Sequence, residues 1–281
     1  MGRIGLLLVL LLFLPGNART EGRLLDLGKQ RVTRKELVAL LEDAPDVSQV
    51  TLFHAHMSLA EMEDVMNAFP QVHFDFTVPL GKYRVRTDAT AFSTLRNPDE
   101  KPRYGSEDYA PIAYCMSLMA LDLGHNRITD LTFLEGLPLH YLILADNRIT
   151  DLSPLAELTE LEYLELFMND VENLSPLTGL GNLIDLNLSR TRIEDLTPLC
   201  SMKQLKRLWI SRLGRGITED EKRMLTEALP DTEIRFTGNC TKEGWRRHPR
   251  FEKVRDSFRG GTYLPWTEEE RSLNTTGGGG P

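Results

Sequence analysis

Three carboxylates, Asp122, Glu165 and Asp185, stand in segments that align with one another, each beside a leucine. Brought together, such groups could share acid and base work on a peptide or glycan bond, provided that one is desolvated enough to hold its proton near neutral pH. A second group, His54-Ala55-His56 with His73-Phe74-Asp75, has the residue types of a metal site. Strand parity counts against it. His54 and His56 continue the alternation of Val50 and Leu52, whereas His73 and Asp75 alternate with the apolar Phe74 and Phe76, so continuing strands would turn the two pairs to opposite faces. The chain has no Gly-x-Ser-x-Gly, phosphate loop, Cys-x-x-Cys or His-Glu-x-x-His. The expectation is therefore no metal, no cofactor and no catalytic residue, with a hydrolase using the three carboxylates as the alternative.

The segments that hold those carboxylates repeat. Leu121-Asp122-Leu123-Gly124-His125-Asn126-Arg127-Ile128-Thr129-Asp130-Leu131 has copies starting at Leu142, Leu164 and Leu186 and a degraded one at Leu208, in steps of 21, 22, 22 and 22 residues. Leu-x-Leu puts two side chains on one face of a short strand. Ile128, Ile149, Val171 and Ile193, then Leu131, Leu152, Leu174 and Leu196, turn inward as the chain leaves it. One coil cannot bury this set, but stacked neighbours make a continuous core. Asn126, Asn147 and Asn169 fall where a polar side chain can satisfy backbone amides between coils. The fourth copy has Thr191 and the fifth Leu213, so that ladder ends near there.

The pattern resembles the short, internalin-like bacterial leucine-rich repeats, Leu-x-Leu-x-x-Asn-x-Ile-x-Asp-Leu-x-Pro-Leu, over about Asp108 to Ile210. The first copy departs from it at Phe133-Leu134, where Pro-Leu is expected, and at Leu137-Pro138, where one residue is lost. Gly81-Lys82-Tyr83, Leu164-Glu165-Leu166-Phe167 and the stretch from Gly244 to Phe258 resemble segments of exported bacterial leucine-rich-repeat proteins. The resemblance implies an α/β fold: a right-handed solenoid with a parallel sheet on its concave face and helix-containing caps. It implies an architecture rather than an activity.

The flanks carry their own signals. Thr33-Arg34-Lys35-Glu36, Ser58-Leu59-Ala60-Glu61 and Thr218-Glu219-Asp220-Glu221 have capping-box spacing. Each precedes an amphipathic run that stops at Pro45, Pro70 or Pro230, and an alternating strand follows. Thr77 to Thr87 reads as a hairpin around Leu80-Gly81, and Asn97 to Glu107 as a loop. The organisation expected is a signal peptide over 1–18, an N-terminal cap over 19–107, repeats over 108–213, a C-terminal cap over 214–270 and a disordered tail over 271–281.

The signal rests on Arg3, the apolar run Ile4 to Leu14 and the small-x-small Gly16-Asn17-Ala18. That run is too short to span a bilayer, which takes about 20 apolar residues. A soluble, secreted monomer cleaved after Ala18 is expected. A net charge of −8 argues against general polyanion binding. Lys242 to Arg259 opposes that trend, with seven Lys/Arg against three Asp/Glu. Its basic and aromatic residues have the composition of a nucleic-acid patch, but a cap whose aromatics cover the last coil while its arginines reach water explains them better. Cys115 and Cys200 read as small buried residues, and a Cys200–Cys240 bridge stays open.

The outer strand positions differ from copy to copy where the turns do not. Tyr141, Ile143, Tyr163, Glu165, Phe167, Asp185, Arg207 and Trp209 would form an apolar stripe with charges on the concave face. Aromatic patches of that kind mark binding sites. The expectation is a protein partner bound there and no nucleic acid. The competing reading packs this row against a flank of the same chain.

Overall fold

The structure is a computed structural model that describes residues 22–94, 101–238 and 244–273. The expected signal at 1–18, Cys240 with its open pairing, and residues 274–281 lie outside them. The chain divides into two compact units, the first ending at Asp88 and the second beginning at Ala89.

In the first unit, strands β1 (Arg23–Gly28), β2 (Val47–Leu52) and β3 (His73–Leu80) run parallel in that order, and β4 (Tyr83–Arg86) closes the sheet antiparallel to β3. The helices α1 (Arg34–Glu42) and α2 (Leu59–Ala68) make the crossovers. Both start at a complete capping box, Thr33 with Glu36 and Ser58 with Glu61, which satisfies amides that the first helical turn leaves orphaned. Leu25, Leu27, Val50, Leu52, Phe74 and Phe76 are buried on the strands, as are Leu37, Leu41, Met62 and Val65 on the helices. Gly81 turns the hairpin at φ +57°, in the left-handed region that glycine adopts without steric cost.

The second unit is built on a seven-stranded parallel sheet: β5 (Ala91–Ser93), β6 (Ala120–Asp122), β7 (Tyr141–Ile143), β8 (Tyr163–Glu165), β9 (Asp185–Asn187), β10 (Arg207–Trp209) and β11 (Glu233–Arg235). A short helix α3 (Ser106–Tyr109) precedes β6, and α4 (Glu219–Ala228), started by the Thr218–Glu221 capping box, leads into β11. Register is set by the leucines: Leu121, Leu142, Leu164, Leu186 and Leu208 pair in sequence, all wholly buried. Three-residue strands suffice because each turns straight into the next arm. His125, Asp146, Met168, Arg190 and Arg212 make that turn at φ between 56° and 60°, a conformation most side chains avoid. Opposite the sheet, Ser153–Leu155, Ser175–Leu177 and Thr197–Ser201 form single 3-10 turns. Their first amides are held by Asp151, Asn173 and Asp195 two residues earlier.

The asparagine ladder joins the coils. Asn147 accepts a hydrogen bond from the Ile128 amide at 3.0 Å and donates to the carbonyls of Leu123 and Leu144, both at 3.0 Å. Asn169 repeats this one coil on, taking the Ile149 amide and donating to Leu144 and Leu166. Thr191 keeps only the local bond, to Leu188.

Two features differ from the sequence reading. The long sheet starts at Ala91, inside the stretch assigned to the N-terminal cap, because β5 is too short to carry an alternating pattern of its own. Arg271 and Ser272, assigned to a disordered tail, belong to a capped helix α6 (Glu268–Ser272) that follows α5 (Pro249–Gly260).

Candidate functional site

The eight residues picked from the outer strand positions do come together on one face of the long sheet. Tyr141 and Ile143 come from β7, Tyr163 and Glu165 from β8, Asp185 from β9, Arg207 and Trp209 from β10, and Phe167 follows β8. Their expected exposure is corrected: all eight are buried, and Tyr163 and Asp185 are 0% exposed. The cover is the chain's own C-terminal segment. Trp245, Phe251, Val254, Phe258 and Trp266 join Tyr141, Ile143, Tyr163, Phe167 and Trp209 in one apolar cluster, with Tyr263 packed against it. Tyr141 lies 5.0 Å from Trp266 and 5.1 Å from Tyr263 between ring centres, and Tyr163 lies 5.4 Å from Trp245. These separations are those of favourable offset and tilted aromatic pairs.

The charges of the face are answered by charges of the cover. Arg250, 0% exposed, donates to both oxygens of Asp185, at 2.7 Å from Nη2 and 3.1 Å from Nε, while Arg207 donates to Asp185 at 3.2 Å. Arg246 donates to Glu165 at 2.9 Å, and the Trp245 indole and Tyr163 hydroxyl donate to the same carboxylate at 3.1 and 3.0 Å. Arg271 bonds Glu162. The Coulomb field of Glu165 holds the Arg246 guanidinium above its usual range, against the cost of burial. Bidentate arginine pairs of this kind fix orientation as well as adding energy. The basic stretch is thus a cover only partly turned to solvent: Arg247 and Arg259 are exposed, as expected, and Arg250 is not. Its arginines were expected to reach water, yet Arg250 is wholly enclosed, because the carboxylates that match it lie on the sheet face and not at the last coil.

The hydrolase alternative needs a carboxylate with an oxygen to spare. Asp185 and Glu165 have donors on both oxygens. Asp122, whose carboxyl is pushed up by burial, accepts from the Gly124 amide and the Ser93 hydroxyl. His73 lies 3.2 Å from one Asp75 oxygen while Gln49 donates to the other, and His54 and His56 sit beyond the end of β2.

His248 caps the start of α5, its Nδ1 accepting from the Arg250 amide at 3.2 Å. Burial, then Arg207 and Arg250, lowers its pKa from 6.5 to about 4, against the pull of Asp185 and Glu233. A base with a lowered folded value takes its proton first in the unfolded chain. The cover should therefore lose stability as pH falls from 6.5 towards about 4, and be insensitive above that window. Urea midpoints across this range should show the decline, and His248→Gln should flatten part of it. An equal slope in both proteins would remove His248 as the cause.

The sequence reading keeps this packing against a flank of the same chain only as its competing alternative and places the basic segment over the last coil, though local signals for its helices exist. Phe251, Val254 and Phe258 have helical spacing behind Pro249, and Thr267-Glu268-Glu269-Glu270 is a fourth capping box.

Comparison with known proteins agrees on the repeats. Residues 139–179 match the family model of leucine-rich repeats in two copies. Those two copies are leucine-rich repeats. No curated protein matches the chain. Similar solved structures include internalin C2 of Listeria monocytogenes, 24% identical over 78% of this chain and 76% of that one, with a TM-score of 0.37. An internalin from the same organism, inlF, is 18% identical over 70% and 65%, TM-score 0.38. A leucine-rich-repeat protein of Leptospira interrogans is 19% identical over 76% and 54%, TM-score 0.40. The fold is an α/β leucine-rich-repeat solenoid, and the strongest ground for it is the paired register of the chain's own leucines. Among the described residues no helix is long and apolar enough to cross a membrane.

Proposed function

We propose that this is an exported, non-enzymatic leucine-rich-repeat protein that recognises a protein partner through the sheet face bearing Tyr141, Ile143, Tyr163, Glu165, Phe167, Asp185, Arg207 and Trp209. One observation carries the reading: the face already holds a helical protein segment by the means that protein interfaces use. Aromatic anchors sit in the centre, and charged pairs are bonded at defined points. Repeat solenoids present such surfaces as their usual mode of action. Export follows from the leader read at 1–18, with cleavage after Ala18.

A second reading has a specific observation behind it. The Asp185–Arg250 pair is wholly enclosed, as in a core, which suits a permanently covered face and a structural role in the envelope.

A photo-crosslinking residue placed at Phe167 on the sheet face, and separately at the exposed Glu157 on the opposite turns, separates the two. A partner captured from Phe167 and not from Glu157 is the expected result. Capture from Glu157 alone would move recognition off the sheet. N-terminal sequencing of the protein from the culture medium should begin at Arg19, and retention in the cell would sink the export reading.

A further inference from the structure

We propose that the C-terminal segment, residues 244–273, is an intramolecular ligand, and that the partner is a protein helix of the same chemistry that takes its place. This rests on the reading that the sheet face is the recognition surface. The argument is one of charge and shape together. Without the segment, the sheet and its edge present Asp122, Glu162, Glu165, Asp185 and Glu233 against Arg207, Arg190 over the Phe167 ring, and Arg235 on the edge strand, around the rings of Tyr141, Tyr163, Phe167 and Trp209. That surface is acidic and aromatic. A cover without cations would bury these carboxylates unpaired, at a large cost, so whatever occupies the face must bring the cations with it.

The segment supplies what is missing. Arg246 and Arg250, four residues apart, reach carboxylates on adjacent strands, Glu165 on β8 and Asp185 on β9. Each has an aromatic neighbour in the chain, Trp245 or Phe251, that enters the apolar cluster. Val254 and Phe258 continue the buried row along α5. The recognisable pattern is therefore Trp-Arg, three residues, Arg-Phe, then an apolar side chain three and seven positions after the Phe. A partner that competes for this face must carry arginines and rings at that spacing, across a short turn that leads into a helix. An acidic peptide, a nucleic acid or a neutral glycan cannot satisfy the same carboxylates.

The hold of such a segment depends on its tether. A short linker keeps a tethered ligand at a local concentration of about 1 mM, which excludes a competitor offered at about 1 µM. Cutting the tether lowers the competing concentration to that of the protein itself, about a thousandfold at 1 µM.

The test uses the full chain with a specific protease site placed between Gly238 and Gly244, and a fluorescent peptide spanning residues 244–273. The uncut protein should take up almost none of the peptide. After cutting, equimolar peptide should reach about half occupancy, with the circular dichroism spectrum unchanged. Peptides with Arg246→Ala or Arg250→Ala should need at least tenfold higher concentration. Retention of the original segment against a hundredfold excess of peptide would overturn the proposal, as would loss of the fold when it leaves, because the segment would then be fixed core. Equal uptake of the two alanine-substituted peptides would overturn the partner chemistry.

Uncut Trp266→Ala protein provides the second measurement, since it weakens the cover without cleavage. It should admit the parent peptide at tenfold lower concentration than the unaltered chain does. If it instead forms a concentration-dependent dimer and takes up no peptide, the occupant is a second copy and the stated partner is wrong. Peptide exchange together with no crosslink from Phe167 would leave the intramolecular ligand standing while rejecting the recognition reading. No exchange together with a Phe167 crosslink would do the reverse.

Discussion

Arg250→Ala should lower the free energy of unfolding by about 3–5 kcal/mol, the loss seen when one member of a buried ion pair is removed. The size follows from what stays behind. Asp185 is 0% exposed, and without Arg250 it keeps a single cation, Arg207, through one 3.2 Å bond. The loss of two donors leaves an enclosed carboxylate with too few partners. Arg250 also donates to the carbonyls of Glu270 and Leu273 and accepts the Trp266 indole on its own carbonyl, so α6 loses two of its anchors with the side chain. Urea midpoints measure the loss, and protease cleavage within residues 244–273 should accelerate alongside. The double variant Asp185→Leu with Arg250→Met separates charge from packing, because a well-packed apolar pair is often as stable as the ions it replaces. It should recover most of the stability. A loss below about 1 kcal/mol in Arg250→Ala would mean that the pair is open to solvent, where ion pairs are worth about that little.

Asn147→Ala comes next, at about 3 kcal/mol. The side chain makes three hydrogen bonds, but their loss is unequal. The Leu123 carbonyl also accepts from Asn126, and the Leu144 carbonyl also accepts from Asn169. Both keep a donor when Asn147 goes. The Ile128 amide has Asn147 as its side-chain partner at 3.0 Å and becomes an unsatisfied buried donor, which costs about 1–3 kcal/mol. The small cavity left between coils adds to it. Asn147→Asp should be at least as damaging, since a carboxylate accepts from Ile128 but cannot donate to two carbonyls. Asn147→Thr should be milder, because Thr191 occupies the matching place two coils on. A melting temperature unchanged in Asn147→Ala would show that the coils are held by their leucines alone.

The leucine register and the helix starts were legible because both are local. A leucine at every second strand position declares its face, and a Thr three residues before a Glu declares a cap. The landing place of residues 244–273 was not legible, for a physical reason. Arg250 and Asp185 are 65 residues apart, and nothing in a short window says which surface an amphipathic helix will cover. The outer row is equally ambiguous in itself: Tyr141, Tyr163 and Trp209 would read the same on an open interface or beneath a flank. The informative comparison was between segments. Two acidic positions on successive repeats, Glu165 and Asp185, match two arginines four residues apart, one in the 3-10 turn Trp245–Arg247 and one in α5. That match depends on the fold, so it becomes visible only after the repeats have been stacked.

Solenoids ordinarily unravel from an end, because each coil touches only its neighbours and their stabilities nearly add. This one has a strap. The C-terminal segment bonds Arg207 on β10 through the Trp245 carbonyl, and at its other end the Tyr263 amide donates to Thr90 beside β5. Strands at opposite ends of the repeat array are thereby made to melt together. The second unit should unfold in one cooperative transition where an unstrapped array of the same coils would fray.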